Sequence, residues 1–252
     1  MNPIGVVICN YNKKDFVLQC VQSVLESKEK NFDIYVVDNA SSDGSAEALK
    51  KAYGNRITVI ENKENLGGSG GFNTGLRIVR DKGYSYFMCL DDDAAVDENA
   101  LSVLYHYMEE HTDTGMAGCR VYHTQMPDYI QQSGLLIDFD NCTAKTIGAD
   151  MPEDGSLPDV IECDTVATCA VMVRADTVKQ KGVGIMPEDN FIYWDDMEWG
   201  YRIKLAGYRV VTLAEAKALH QMGANAKKEN TFINYYMWRN RTNFFMRFTQ
   251  EA

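Results

Sequence analysis

Tyr84-Ser85-Tyr86-Phe87-Met88-Cys89-Leu90-Asp91-Asp92-Asp93 decides the architecture. Tyr84–Leu90 has the length and apolar content of a buried strand, and it stops on three adjacent carboxylates. Before it, Phe72–Lys82 reads as a helix, Asn62–Gly71 as a polar glycine-rich loop and Ile57–Glu61 as a strand. Further back lie a helix at Ser45–Tyr53, turn residues Asp38–Gly44, a strand at Asp33–Val37, a helix with apolar positions Phe16, Val17, Val21, Val24 and Leu25, and a strand at Ile4–Cys9. This strand-helix alternation predicts an α/β fold with a mostly parallel central sheet. The rhythm changes after a helix at Asn99–Glu110. Met116–Tyr122, Leu135–Phe139, Val160–Asp164 and Ala170–Arg174 read as strands with irregular connections, so the second half is expected to be more antiparallel. A helix at Asp195–Leu205, a strand at Arg209–Leu213 and an aromatic, basic segment from Thr231 close the chain. No linker or repeat interrupts it, which predicts one catalytic domain over residues 1–225 and a C-terminal helix over 226–252.

The composition narrows the function. With 36 acidic against 25 basic residues the formal charge is −11, so no broad cationic surface is available for a nucleic-acid backbone. The seven cysteines are odd in number and form no CxxC pair, which predicts reduced, buried thiols and a cytoplasmic setting. No basic region followed by an apolar stretch opens the chain, so no secretory signal is expected, and no run of about 18 apolar residues suggests a membrane span.

In a parallel sheet the ligand lies beyond the carboxyl ends of the strands, where Asn10-Tyr11, Asp38-Asn39, Asn62–Gly71 and Asp91–Asp93 fall. Three adjacent carboxylates repel one another, a cost that a bound divalent cation removes, and hard oxygen donors favour Mg²⁺ or Mn²⁺ over zinc. A solvated turn, with Asp97 capping the next helix, explains the same residues without function. The glycines of Asn65–Gly75, Gly70 among them, admit close backbone approach to a ligand. They match neither a dinucleotide fingerprint, because residue 73 is asparagine, nor a P-loop, because Leu76-Arg77 stand where Lys-Ser/Thr is needed. In Trp194-Asp195-Asp196-Met197-Glu198-Trp199, Asp195 and Glu198 fit a capping box, which leaves Asp196 as a carboxylate near a helix start, suited to act as a general base. His220 either is a structural histidine or adds a nitrogen ligand to the acidic triplet.

Taken in order, Val6–Asn12, Val36–Gly44, Asn65–Gly75, Leu90–Asp93 and Trp194–Trp199 resemble family 2 glycosyltransferases of the GT-A nucleotide-diphospho-sugar transferase fold. The glycine loop and the Trp-Asp-Asp-x-Glu run are similar to bacterial rhamnosyl- and galactofuranosyltransferases. The resemblance implies an inverting, metal-dependent transfer from a UDP- or dTDP-sugar to a saccharide or lipid-linked saccharide acceptor of the cell surface. It implies Asn10, Tyr11, Asp38, Asn65, Gly70, Asp92 and Trp194 at the donor, with Tyr11 stacked on the base, Asp38 on its ring N–H and Asp92 near the ribose. Asp91, Asp93 and His220 would hold Mn²⁺ or Mg²⁺, and Asp196 would activate the acceptor, with Asp195 the competing base. A non-catalytic nucleotide-sugar-binding protein and a sugar-nucleotide pyrophosphorylase are the alternatives; the latter needs a glycine-rich loop that Asn10–Lys14 lacks.

Larger galactofuranosyltransferases carry an additional N-terminal domain that is not expected here, and the abrupt end at Ala252 reads as a truncation. The terminal segment, with Arg239, Arg241 and Arg247 among its aromatics, is expected to pack on the catalytic domain or to meet the inner face of the cell membrane or a second subunit.

Overall fold

The computed structural model describes residues 3–221 and 230–249, so the expected domain boundary at 225/226 lies outside the described residues. Four strands set the frame: β1 (Ile4–Asn10), β2 (Phe32–Asp38), β3 (Thr58–Glu61) and β4 (Tyr86–Asp91). β1 lies between β2 and β4, β3 flanks β2, and all these pairings are parallel. The alternation along β1 divides the core. Val6 and Ile8 point to one face, where they pack with α1 (Lys14–Glu26), α2 (Ser45–Tyr53) and α4 (Ala100–Glu110). Val7 points to the other face, with α3 (Gly67–Lys82) and α5 (Asp195–Leu205). Both faces are covered, which is why these strands read as unbroken apolar runs.

The later strands are β5 (Ala94–Val96), β6 (Thr114–His123), β7 (Met126–Gln132), β8 (Leu135–Asp138), β9 (Thr143–Thr146), β10 (Met151–Pro152), β11 (Val160–Glu162), β12 (Ala170–Arg174) and β13 (Arg209–His220). β12 joins the halves, running antiparallel to both β4 and β6. The second half is mostly antiparallel as expected, with the parallel β13–β6 pair as an exception.

Two differences from the sequence reading bear on the site. α3 begins at Gly67 rather than Phe72, so most of the glycine loop is helix. Glycine is a poor helix former, costing about 1 kcal/mol against alanine, but here close packing decides. A Cβ on Gly71 would sit 2.3 Å from the Cys9 sulfur, and one on Gly75 would sit 2.4 Å from Val7, so the bare backbone lets α3 lie flush on the sheet. Strand β13 extends past Leu213 to His220, where a register shift between Leu213 and Lys217 hides its alternation. That extension pairs His220 with Ala94, immediately after the acidic triplet.

α6 (Thr231–Phe248) packs on the domain through Phe244, Phe245 and Phe248, against Trp194, Met197 and Tyr201. Its opposite side is exposed at Tyr235, Trp238 and Met246. All seven cysteines are free, and burial pushes the thiols of Cys20, Cys89, Cys119 and Cys169 upward, which keeps them protonated. Among the described residues no helix is long and apolar enough to cross a membrane.

Candidate active site

The carboxyl ends of β1, β2 and β4 lie side by side, with Asn10 opposite Asp38 and Cys9 opposite Asp91 in the sheet register. Asn10 Nδ2 donates to Asp38 Oδ1 at 2.8 Å and to Ser41 Oγ at 3.1 Å, and the Ser41 N–H donates to Asp38 Oδ2 at 3.0 Å. Both side chains are buried, while Tyr11 next to them is exposed, with its N–H donating to Asp92 Oδ2 at 3.0 Å. An open ring beside a fixed polar floor suits a flat base.

Asn65 works one step back. Its Oδ1 accepts from the Gly67 N–H at 2.8 Å and from Asn39 Nδ2 at 3.0 Å, fixing the turn into α3. Gly67 has a φ of +73°, and an added Cβ would strike the Phe191 carbonyl at 2.1 Å, so the chain needs glycine there. Gly70 lies in the first turn, where a Cβ would meet Leu66 at 2.6 Å.

The triplet splits into three environments. Lys13 Nζ donates to Asp92 Oδ1 at 2.9 Å and to Asp93 Oδ2 at 2.7 Å. Burial opposes the lysine's charge, but the two carboxylates outweigh it and raise its pKa. Burial pushes Asp92 up to about 6 against the pull of Lys13, and raises Asp91 despite His220. Asp93 moves down, because His220 and Lys13 together outweigh burial. His220 Nε2 lies 3.2 Å from Asp93 Oδ1 and 3.7 Å from Asp91 Oδ2, and their attraction raises its pKa against desolvation.

Asp91, Asp93 and His220 each offer a ligand atom, and these atoms all lie within 4.8 Å of one another. Two further features fit a cation. Asp93 Oδ1 is buried without a hydrogen bond of good geometry. His220 Nδ1 lies 2.7 Å from Gln131 Oε1, and Gln131 Nε2 donates to the His220 carbonyl at 3.3 Å, which fixes the amide's orientation. With Nδ1 donating to Gln131, loss of the Nε2 proton would leave a bare nitrogen facing the carboxylates, the arrangement of a metal-ligating histidine. Gln131→Ala should weaken Mn²⁺ affinity about 10–100-fold by calorimetry with unchanged affinity for metal-free UDP. Unchanged Mn²⁺ affinity would count against this support.

Asp195 and Asp196 open α5, and the charge of Asp91 reaches Asp196. Asp195 Oδ2 accepts from Ser69 Oγ at 3.0 Å, and Asp196 Oδ1 accepts from the Met197 N–H at 2.7 Å. Burial raises both pKa values. Asp196 is pushed up to about 7, first by burial and then by the charge of Asp195, with Asp91 adding to it. The capping-box expectation is corrected. Trp194 occupies the cap position, Asp195 is already helical, and Glu198 pairs with Arg202 and Arg247 instead. Trp194, expected at the donor, sits with its ring 5.5 and 5.6 Å from those of Phe244 and Phe245; at 7% exposure little of it remains for a ligand. The expected cap at Asp97 shifts as well: Asn99 precedes α4, and Asp97 Oδ1 accepts the Asn99 N–H at 2.9 Å.

Sequence reasoning missed Lys13, Gln131 and Ser69. Lys13 lies 79 positions from Asp92 and Ser69 lies 126 from Asp195, so no local spacing could announce them.

The chain is similar to known proteins in both sequence and fold. The chain is 27% identical over 146 residues to the teichoic acid poly(glycerol phosphate) polymerase of Staphylococcus epidermidis, covering 56% of this chain and 19% of that protein. It is 30% identical over 109 residues to the Escherichia coli UDP-Glc:alpha-D-GlcNAc-diphosphoundecaprenol beta-1,3-glucosyltransferase WfaP, covering 43% of this chain and 42% of that one. The match therefore spans less than half the length of either relative. A mannosyltransferase from Pyrobaculum calidifontis, solved with GDP-Man and Mn²⁺, superposes with a TM-score of 0.69 at 15% identity, covering 99% of this chain and 65% of that one. That likeness shows the GT-A fold. The sequence profile described as "Glycosyl transferase family 2" matches residues 5–169, and the chain belongs to that family.

Proposed function

We propose that this domain transfers a sugar of the rhamnose or galactofuranose type from a UDP- or dTDP-linked donor to a hydroxyl of a growing cell-surface polysaccharide or lipid-linked glycan. The observation that carries the reading is the grouping of the Asp91, Asp93 and His220 ligand atoms, with Asp91 acting electrostatically on Asp196, a carboxylate held near neutrality. Names of relatives such as the teichoic acid polymerase and WfaP support the acceptor class.

Asp91, Asp93 and His220 would hold Mn²⁺ or Mg²⁺, which supplies positive charge to a departing nucleoside diphosphate. Asn10 and Asp38 form the polar floor of the nucleotide site, Tyr11 covers the base, and Asp92 takes the ribose side. Asp196 accepts the acceptor's hydroxyl proton as that oxygen attacks the anomeric carbon from the side opposite the leaving group. A single displacement of this kind inverts the anomeric centre and needs no covalent sugar intermediate. Residues 1–225 carry the reacting groups in this reading. The exposed stripe of Tyr235, Trp238 and Met246 on α6 supports a peripheral contact with the inner face of the cell membrane or a second subunit.

The test is a panel of UDP- and dTDP-sugars assayed for slow hydrolysis with and without Mn²⁺. Manganese-dependent release of nucleotide from one donor is the expected result. Tight calorimetric binding of UDP with no release from any donor would instead favour a non-catalytic nucleotide-sugar-binding protein. The pH profile is a second check. A base must be ionised to work, so kcat/KM should rise with pH and level off above about 7, where burial has placed Asp196. A profile flat from pH 5 to 8 would exclude it from that role.

A further inference from the structure

The turn that delivers Asp195 and Asp196 is one the local chain would not choose. Phe191, Tyr193 and Trp194 all have a φ of 64°, in the left-handed region that bulky aromatics avoid. Such conformations persist where the surroundings over-determine them. Here the constraint comes from α6, nearly fifty positions downstream. Asn240 is 1% exposed, and its Nδ2 lies 2.8 Å from each of the carbonyl oxygens of Asn190, Ile192 and Tyr193. An amide with two hydrogens facing three carbonyls must share them, so this single group gathers the whole turn. Its orientation is fixed, because Arg239 Nε donates to Asn240 Oδ1 at 2.8 Å and leaves the amine end facing the turn. The Arg239 guanidinium also donates to the carbonyls of Asp189 at 2.6 Å and Asn190 at 2.9 Å. Beyond the turn, Arg247 donates to both oxygens of the buried Glu198 carboxylate at 2.9 Å, tying α6 to the first turns of α5.

We propose that Asn240, oriented by Arg239, is a positioning residue for the catalytic base, so that α6 completes the acceptor side of the site. The inference rests on the reading of Asp196 as that base. Asn240 touches no reacting atom. It draws three carbonyls together, and the turn so formed sets the direction in which α5 leaves and thus where the Asp196 carboxylate points. A displacement of about 1 Å at a reacting group costs on the order of 10²-fold in rate, so a loosened turn should be visible in kcat.

The test uses the full chain with whichever UDP- or dTDP-sugar it hydrolyses, and UDP with Mn²⁺ as the binding probe. Asn240→Asp keeps the shape and removes the donor; Asn240→Ala removes both. Each should lower kcat about 10²-fold while donor KM and UDP affinity stay within about twofold. Arg239→Ala, which removes the group that orients Asn240 and two further donors to the turn, should cost about tenfold and decides the matter if the Asn240 variants do not fold. Because Asn240 acts through Asp196, Asn240→Ala should cost little more when added to Asp196→Asn. Full additivity, an unchanged kcat, or a parallel fall of kcat and UDP affinity would overturn the proposal. If Asp196→Asn itself hydrolyses donor normally, the base reading has failed; if that variant is impaired and the Asn240 and Arg239 variants are not, only the positioning role has.

Discussion

Asp196→Asn is expected to lower sugar transfer by about 10²–10⁴-fold while leaving UDP and Mn²⁺ binding intact. The carboxylate is half-buried at the start of α5, and burial followed by the charge of Asp195 brings it to about 7. An asparagine of the same size still accepts the Met197 N–H that Asp196 Oδ1 now accepts at 2.7 Å, so the turn survives and only the proton acceptor is lost. The rising limb of the pH profile should vanish with it. Stability should move the other way. Asp196 binds its proton more tightly in the folded than in the unfolded chain, so between the ordinary carboxylate range and about pH 7 its ionisation works against folding. Above neutrality the variant should therefore melt at a higher temperature than the parent. A lower Tm there, or transfer within twofold of the parent, would contradict the assignment. Asp195→Asn separates the two acids: Asp195 is already engaged by Ser69 at 3.0 Å, so its loss should perturb the contact between α3 and α5 without erasing that limb.

What the sequence disclosed follows from range. The apolar runs of β1, β2 and β4 and the carboxylates after β4 are local signals, readable because each strand buries both faces and ends in polar residues at the same edge. The candidate ligand His220 was visible only as a residue of the right type in the right order. Its placement depends on a bulged extension of β13 pairing with β5, and a register shift leaves no periodic trace. α3 was misread at its start because glycine argues against helix locally, whereas the room it leaves beside Cys9 and Val7 is a tertiary matter. The packing of Trp194 was hidden for a related reason. An aromatic beside two acids suggests a ligand contact, but its real partners, Phe244 and Phe245, lie about fifty positions away on α6. Lys13 and Gln131 belong to the same class of residue, with roles created wholly by contacts that folding makes.

Asp91→Asn should abolish the response to Mn²⁺, lowering metal-stimulated turnover by about 10³-fold, since a cation at a departing phosphate is worth several kcal/mol. Of the three ligands it gives the cleanest test, for electrostatic reasons. Asp93 is paired with Lys13 at 2.7 Å and lies 3.2 Å from His220, and its pKa is lowered, so its ionised form supports the fold. That support is present above the unfolded-state value and fades as the pH falls through the folded one. Removing Asp93 would thus strand Lys13 and His220 and cost stability as well as metal. Asp91 has the opposite sign: burial raises its pKa, so ionising it is a burden on the metal-free protein. Asp91→Asn should accordingly leave the metal-free Tm unchanged or higher, while the increase in Tm that saturating Mn²⁺ gives the parent, which grows with the logarithm of metal concentration, disappears. Asp93→Ala should lose both the metal response and several degrees of metal-free Tm. If Asp91→Asn kept the parent's manganese-induced shift, the cation would have to be held elsewhere, and the grouping of Asp91, Asp93 and His220 would be an ion-pair network serving the fold alone.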